Sequence, residues 1–152
     1  MTLLKNDPWF ANKPERNSVS IVNADGAAGL DTNSPAWKEV FTAPDDGLLV
    51  DSLIANSNDS AARVLAIAVK VGTTIQLLGC VNIPANSGTN GTVVAVDLLA
   101  NTIILGLPIS AQGKRYLRLK PTEVLVVGTT TAVTAALAVR VNASAVSYVP
   151  EP

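Results

Sequence analysis

The side chains that could do chemistry in this chain are few and scattered. It has no histidine and a single cysteine, Cys80. That leaves no imidazole base poised near neutrality and no Cys/His set for a transition metal. Oxygen ligands remain: Asp45 and Asp46 are adjacent, and Asp25 and Asp31 flank Gly26 and Gly29. Oxygen-rich loops hold calcium, but this spacing is not that of an EF-hand, and Asp in turns commonly serves the backbone. Asp51, Asp97 and Glu123 lie in or beside β-patterned runs. Two carboxylates facing one groove could act on a glycosidic bond. Nothing in the spacing brings two of these together, and the aromatic platforms for a sugar, Trp9, Trp37, Tyr116 and Tyr148, are dispersed. Serine and threonine abound, but none stands in a Gly-x-Ser-x-Gly elbow. The run Asn86-Ser87-Gly88-Thr89-Asn90-Gly91 lacks the lysine of a phosphate-binding loop. These residues lead us to expect no enzyme activity, no cofactor and no metal.

The charge that does concentrate is basic: Lys114, Arg115, Arg118 and Lys120. In an extended strand Arg118 and Lys120 share the face of Tyr116, while Arg115 shares that of Leu117 and Leu119. Such a run either keeps an edge strand solvated or meets an acidic surface on a partner protein. A nucleic-acid binder would carry a basic excess; the net charge here is -1, so no direct nucleic-acid contact is expected. Near-neutral charge with 48% hydrophobic residues suits a subunit that ends up covered by partners. Cys80 sits within Leu77-Leu78-Gly79-Cys80-Val81 and reads as a small buried hydrophobe; alone, it forms no internal disulfide. The opening residues Met1–Pro8 have no apolar stretch of signal-peptide length, and no window approaches about 18 uninterrupted apolar residues, so no membrane span is expected.

The elements that would carry these side chains are strands. Residues 1–36 hold Pro8, Pro14 and Pro35 with little periodicity. We read them as an extended N-terminal arm with a short strand at 19–23. Trp9 and Phe10 stand in polar surroundings and are costly to leave in water, so they are candidate partner contacts. Residues 37–149 read as a β-sandwich domain. Runs rich in Val, Ile and Thr recur about every ten residues, the spacing of a sandwich or barrel. Strands are expected at 38–42, 48–56, 63–71, 74–83, 92–98, 115–119, 123–129 and 135–146, with a hairpin at Gly72-Thr73. In the fourth run, Ile75, Leu77, Val81 and Ile83 fall on one face by simple alternation. The fold expected is all-β: a two-sheet antiparallel sandwich, jelly-roll-like. Several strands are apolar on both faces, with Val64, Ala66 and Ala68 behind the Leu65 face and Ala136 and Ala138 behind the Leu137 face. Such strands need a second cover. Another subunit is the cover expected; the arm is the alternative.

Particular motifs add a resemblance. They are Val40-Phe41-Thr42-Ala43-x-x-x-Gly47, Ser52-Leu53-Ile54-Ala55-Asn56-Ser57-x-Asp59-Ser60-Ala61-Ala62, Leu77-Leu78-Gly79-x-Val81-x-Ile83-Pro84-Ala85-x-Ser87-Gly88-Thr89-Asn90-Gly91, Ala95-Val96-Asp97-Leu98-Leu99, Gly113-Lys114-Arg115-Tyr116-Leu117 and Thr130-Thr131-Ala132-Val133-Thr134. This pattern, from roughly Val19 to Tyr148, is similar to small all-β virion proteins of tailed bacteriophages, of the head decoration or cement type. The resemblance implies a jelly-roll-like subunit that forms a homo-oligomer, a trimer ahead of a dimer. It implies a place on the outer surface of the virion capsid, assembly in the host cytoplasm, and a contact with the major capsid protein that bridges capsomers and stabilises the head. It brings no catalytic residues. The competing expectation is a tail- or fibre-associated host-binding β-module.

Overall fold

The computed structural model describes residues 13–30, 32–101, 104 and 106–147. Among them are nine strands: β1 (Lys13–Val22), β2 (Lys38–Thr42), β3 (Leu48–Ser57), β4 (Arg63–Val71), β5 (Thr74–Ile83), β6 (Val96–Asp97), β7 (Leu117–Leu119), β8 (Val124–Thr129) and β9 (Ala138–Ser147). The only helical element described is a 3₁₀ turn at Asn23–Asp25. All strand pairs are antiparallel, in two sheets packed face to face. One has the order β1-β9-β3-β6, with β7 also on β3; the other is β2-β8-β4-β5.

The pairing is nested. The first strand pairs with the last, β2 with β8, β3 with β6 and β7, and β4 with β5. A long hairpin rolled over on itself gives this order, which is that of a jelly roll. The run expected at 92–98 forms only the two residues of β6, and that expected at 115–119 only the three of β7. They lie at opposite ends of β3 and act as the two halves of one interrupted strand. Between them the chain leaves the sheet, and Leu98, Leu99 and Ile104 enter the core.

Inward residues of both sheets form that core: Ile21, Val50, Leu53, Ala55, Val139, Val141 and Ala145 from one, Val40, Leu65, Ile67, Val81, Ile83, Leu125 and Val127 from the other. On β1 and β9 the alternation is clean, and on β3 a bulge between Val50 and Ser52 shifts it by one residue. Ser18, Ser20, Arg140, Asn142 and Ser144 face water, with Ser18 Oγ donating to Asn142 Oδ1 at 2.8 Å and Ser144 Oγ to Asp51 Oδ1 at 2.6 Å. That sheet has a solvated outer face and needs no second layer. Along one open side of the sandwich, Asn17 Nδ2 of β1 donates to the Val40 carbonyl of β2 at 2.6 Å.

The second sheet is apolar on both faces, as the sequence indicates, and its outer cover comes from the same chain. Residues 26–30 and 32–37 run across it as a strap. Ala28, Ala36 and Trp37 are buried against Ala66, Ala68 and Val126. The Ala28 amide donates to the Thr129 carbonyl at 2.8 Å, and Trp37 Nε1 donates to the carbonyls of Gly29 and Thr32. At Ala66 and Ala68 the cover is the alternative expected, the N-terminal segment; Val64, the third residue of that face, is not under it. The short strand expected at 19–23 is the upper end of the ten-residue β1. Gly128 makes the close approach possible, since a Cβ there would sit 2.6 Å from the Ala28 Cβ and 3.3 Å from the Ala36 carbonyl. We expect Gly128→Ala to lift the strap and cost about 1–3 kcal/mol, the range for overpacking. Calorimetry together with faster exchange of the Ala28 amide checks it; an unshifted melting temperature refutes it.

Candidate interaction surface

The basic cluster is not one surface. Ile109 bridges Arg115, which positions the Arg115 guanidinium over the excursion between β6 and β7. Its Nη1 donates to the carbonyls of Asn101, at 3.3 Å, and Ile104, at 3.2 Å. Arg115 is half-buried and tethers the segment that delivers Ile104 to the core, so its charge serves the fold. Arg118 is the exposed residue of β7, its guanidinium carbon 5.6 Å from the Tyr116 ring centroid, in cation–π range. Lys114 and Lys120 are exposed; the Lys120 amide donates to Glu123 Oε2 at 2.8 Å, which fixes the turn into β8. Trp9 and Phe10 lie outside the described residues.

The densest polar chemistry is at the end of the sandwich where β3 passes to β4, at residues whose types and spacing single out no site in the sequence. Asp59 is completely buried there. Its Oδ2 accepts from Arg63 Nε at 2.7 Å and from the Thr134 amide at 2.9 Å; its Oδ1 accepts from the Ala61 amide at 3.0 Å and Thr134 Oγ1 at 2.8 Å. Its carbonyl accepts from the Asn86 amide, and its amide donates to Ser57 Oγ. Arg63 Nη2 in turn donates to Thr134 Oγ1 at 2.8 Å. The carboxylate thus ties the β3–β4 loop to the β8–β9 loop, and the Asp59 backbone carbonyl adds the β5–β6 loop. Burial pushes its pKa up, but the Arg63 guanidinium and the amides of Thr134 and Ala61 outweigh burial and hold the carboxyl well below the usual carboxylate range. Gly88, at φ +69°, lets the β5–β6 loop pass this pole, because a Cβ there would lie 2.9 Å from that of Ala95 and 3.0 Å from that of Asn56. An Asp–Arg pair at four-residue spacing across a Ser/Asn-rich loop was the available signal for this knot.

No family model, curated protein or solved structure matches the chain. Geometry alone therefore assigns roles to the remaining carboxylates, and the positions it gives them are local. Asp25 takes an ion pair with Lys38 at 2.6 Å and a hydrogen bond from the Val22 amide at 2.8 Å. Burial raises its pKa, while Lys38 and the Val22 amide together bring it below the ordinary value. Asp97 accepts from the amides of Leu99 and Ala100, and Asp51 from Ser144. Among the described residues no three His, Cys, Asp or Glu side chains gather as metal ligands, and no helix is long and apolar enough to cross a membrane. Cys80, on the outer side of β5, is half-buried rather than enclosed, and burial pushes its thiol pKa up. A shallow hollow of about 360 Å³ lies between the strap and the Lys70–Glu39 ion pair, walled by Trp37.

The edges of the sheets are what this architecture presents to partners. β1 carries Lys13, Pro14, Glu15 and Arg16; β2 is five residues long with a bulge and Lys38 and Glu39. β7 carries Arg118 with Lys120 just beyond it. β5 differs from all of these: it is ten residues long and has no charge and no proline.

Proposed function

We propose that this protein is a structural virion subunit, a decoration or cement protein on the outer surface of a tailed-phage head, where it bridges neighbouring copies of the major capsid protein. The reading rests on the motif resemblance over Val19 to Tyr148 and is supported by one structural observation. Lys13 and Ser147 are register partners, so the chain enters β1 and leaves β9 at the same pole. Residues 1–12, which hold Trp9 and Phe10, precede β1 in the sequence, and the opposite pole of the body is tied by Asp59. A body tied at one pole, with two aromatics in the sequence just before the other, suits a clamp.

The mechanism is mechanical. A shell under outward pressure fails where capsomers separate. A subunit seated across that seam adds buried area, roughly a thousand Å² or more for a specific contact. Each contact is modest, but many copies on one shell, each held at more than one point, turn it into a large total through avidity. Buried aromatic anchors supply most of the energy of such contacts; Trp9 and Phe10 are the anchors proposed here, and Lys114, Arg118 and Lys120 the charged rim. Assembly takes place in the host cytoplasm, and the subunit acts as a homo-oligomer.

Mixing the protein with shells that lack it tests the reading. Stoichiometric binding and a higher rupture temperature are expected, and replacing both Trp9 and Phe10 with Ala should weaken binding at least tenfold. A handful of copies per particle, with affinity for host glycan, refutes the cement role and marks a tail- or fibre-associated module instead.

A further inference from the structure

We propose that β5 is a self-pairing edge: two copies join antiparallel along Thr74–Ile83 about a two-fold axis and merge their β2-β8-β4-β5 sheets into one continuous sheet. Exposed edges of natural sheets are normally blunted by charge, proline, bulges or shortness. Every other described edge uses such devices: charges and Pro14 on β1, charges and a bulge on β2, shortness on β6 and β7. β5 has one bulge, where Leu78 is the extra residue against Ile67 and Ala68, and nothing else. Among the described residues, no hydrogen bond links β5 to anything but β4.

An apolar strip follows this edge on the outer side of the sheet. Leu77 is 42% exposed and Val64, on the adjoining strand, 38%. Ile75 and Cys80 beside them are half-buried. The strap covers Ala66 and Ala68, and Ile75 and Cys80 pack against that cluster, but Leu77 and Val64 are left in water.

The chemistry of the edge selects a second copy as its occupant. With no charge anywhere on Thr74–Ile83, no register of self-pairing sets like charges against each other. An acidic or basic peptide, by contrast, finds no counter-charge on β5. The cations of the adjoining strand, Lys70 and Arg63, are committed to Glu39 at 3.2 Å and to Asp59 at 2.7 Å. A two-fold puts the same strip on both sides, so Leu77 of each copy gains apolar cover from the other. The unit formed is a dimer, in place of the trimer that the motif resemblance favours. The inference does not depend on the virion reading, because it concerns the free protein.

Sedimentation velocity of the full chain over a range of concentrations, with hydrogen exchange of the 74–83 amides at low and high concentration, tests it. We expect a reversible dimer whose formation slows exchange in 74–83. The double variant Leu77→Lys/Asn82→Lys, at two exposed positions, should raise the dissociation constant at least tenfold while the circular dichroism spectrum stays unchanged. A chain that is monomeric throughout, a trimer, association that persists in the double variant, or a dimer that leaves exchange in 74–83 unaltered overturns the proposal.

Discussion

Replacing Asp59 with Ala should be among the most damaging single substitutions in this protein, lowering stability by about 3–5 kcal/mol, the cost of breaking a buried ion pair from one side. For a chain of this size each kcal/mol moves the melting temperature by roughly 2–4 °C, so a fall of roughly 6–20 °C is expected. The cause is more than the Arg63 pair. Without the carboxylate, the amides of Ala61 and Thr134 lose their acceptor, and the β3–β4 and β8–β9 loops lose their common tie. Asp59→Asn should recover little, because its amide group presents donors to the Arg63 and Thr134 donors. Asp45, exposed in the β2–β3 turn, is the control, and Asp45→Ala should stay within about 0.5 kcal/mol.

The same geometry fixes a pH dependence. The folded-state pKa of Asp59 is depressed, so its stabilisation is fully present above the unfolded value of about 3.9 and is lost as the pH falls below it. Thermal melts of wild type and Asp59→Ala should therefore converge as the pH drops from about 5 toward 2. A gap that holds constant over that range, or a variant that melts within 2 °C of wild type at pH 7, would show that the carboxylate does not hold this pole together.

How much of this was legible in the sequence differs from strand to strand. β4 occupies the residues its alternation indicates, because Leu65, Ile67 and Val69 face the core while Ala66 and Ala68 face outward without interruption. β5 misleads. Simple alternation puts Ile75, Leu77, Val81 and Ile83 together, but the bulge at Leu78 shifts the register, and only Val81 and Ile83 reach the main core, while Leu77 faces water. One inserted residue reverses every side chain on one side of it, and no local pattern announces the insertion. β1 was legible only at its apolar end. Its first half, with Lys13, Pro14, Glu15 and Arg16, has no alternation to read; it is a strand because β9 offers it a ten-residue partner more than a hundred residues away. The basic cluster splits for a related reason. Arg115 turns to Asn101 and Ile104, carbonyls that irregular backbone leaves in need of a donor, and a sequence cannot say where an excursion will return.

Trp37 carries the other large effect. It looks in the sequence like one of four dispersed aromatics, yet it is buried on the outer face of the second sheet and holds the strap at two points. Trp37→Ala removes the largest side chain of that layer and should cost about 3–5 kcal/mol. Trp37→Phe keeps most of the apolar cover and loses only the Nε1 donor to the Gly29 and Thr32 carbonyls, for about 1–2 kcal/mol. The two variants differ in kind as well as size. Truncation to Ala uncovers Ala66, Ala68 and Val126, next to the apolar strip at Val64 and Leu77, and so lengthens one continuous exposed patch. That variant should bind a hydrophobic dye and associate more strongly than wild type; the Phe variant should do neither. Chemical denaturation with dye titration separates them. Equal losses in the two would mean that the indole hydrogen bonds, and not the buried area, fasten the strap. If neither variant lost stability, the strap would contribute nothing to the fold, and the outer face of the sheet would need its cover from another molecule after all.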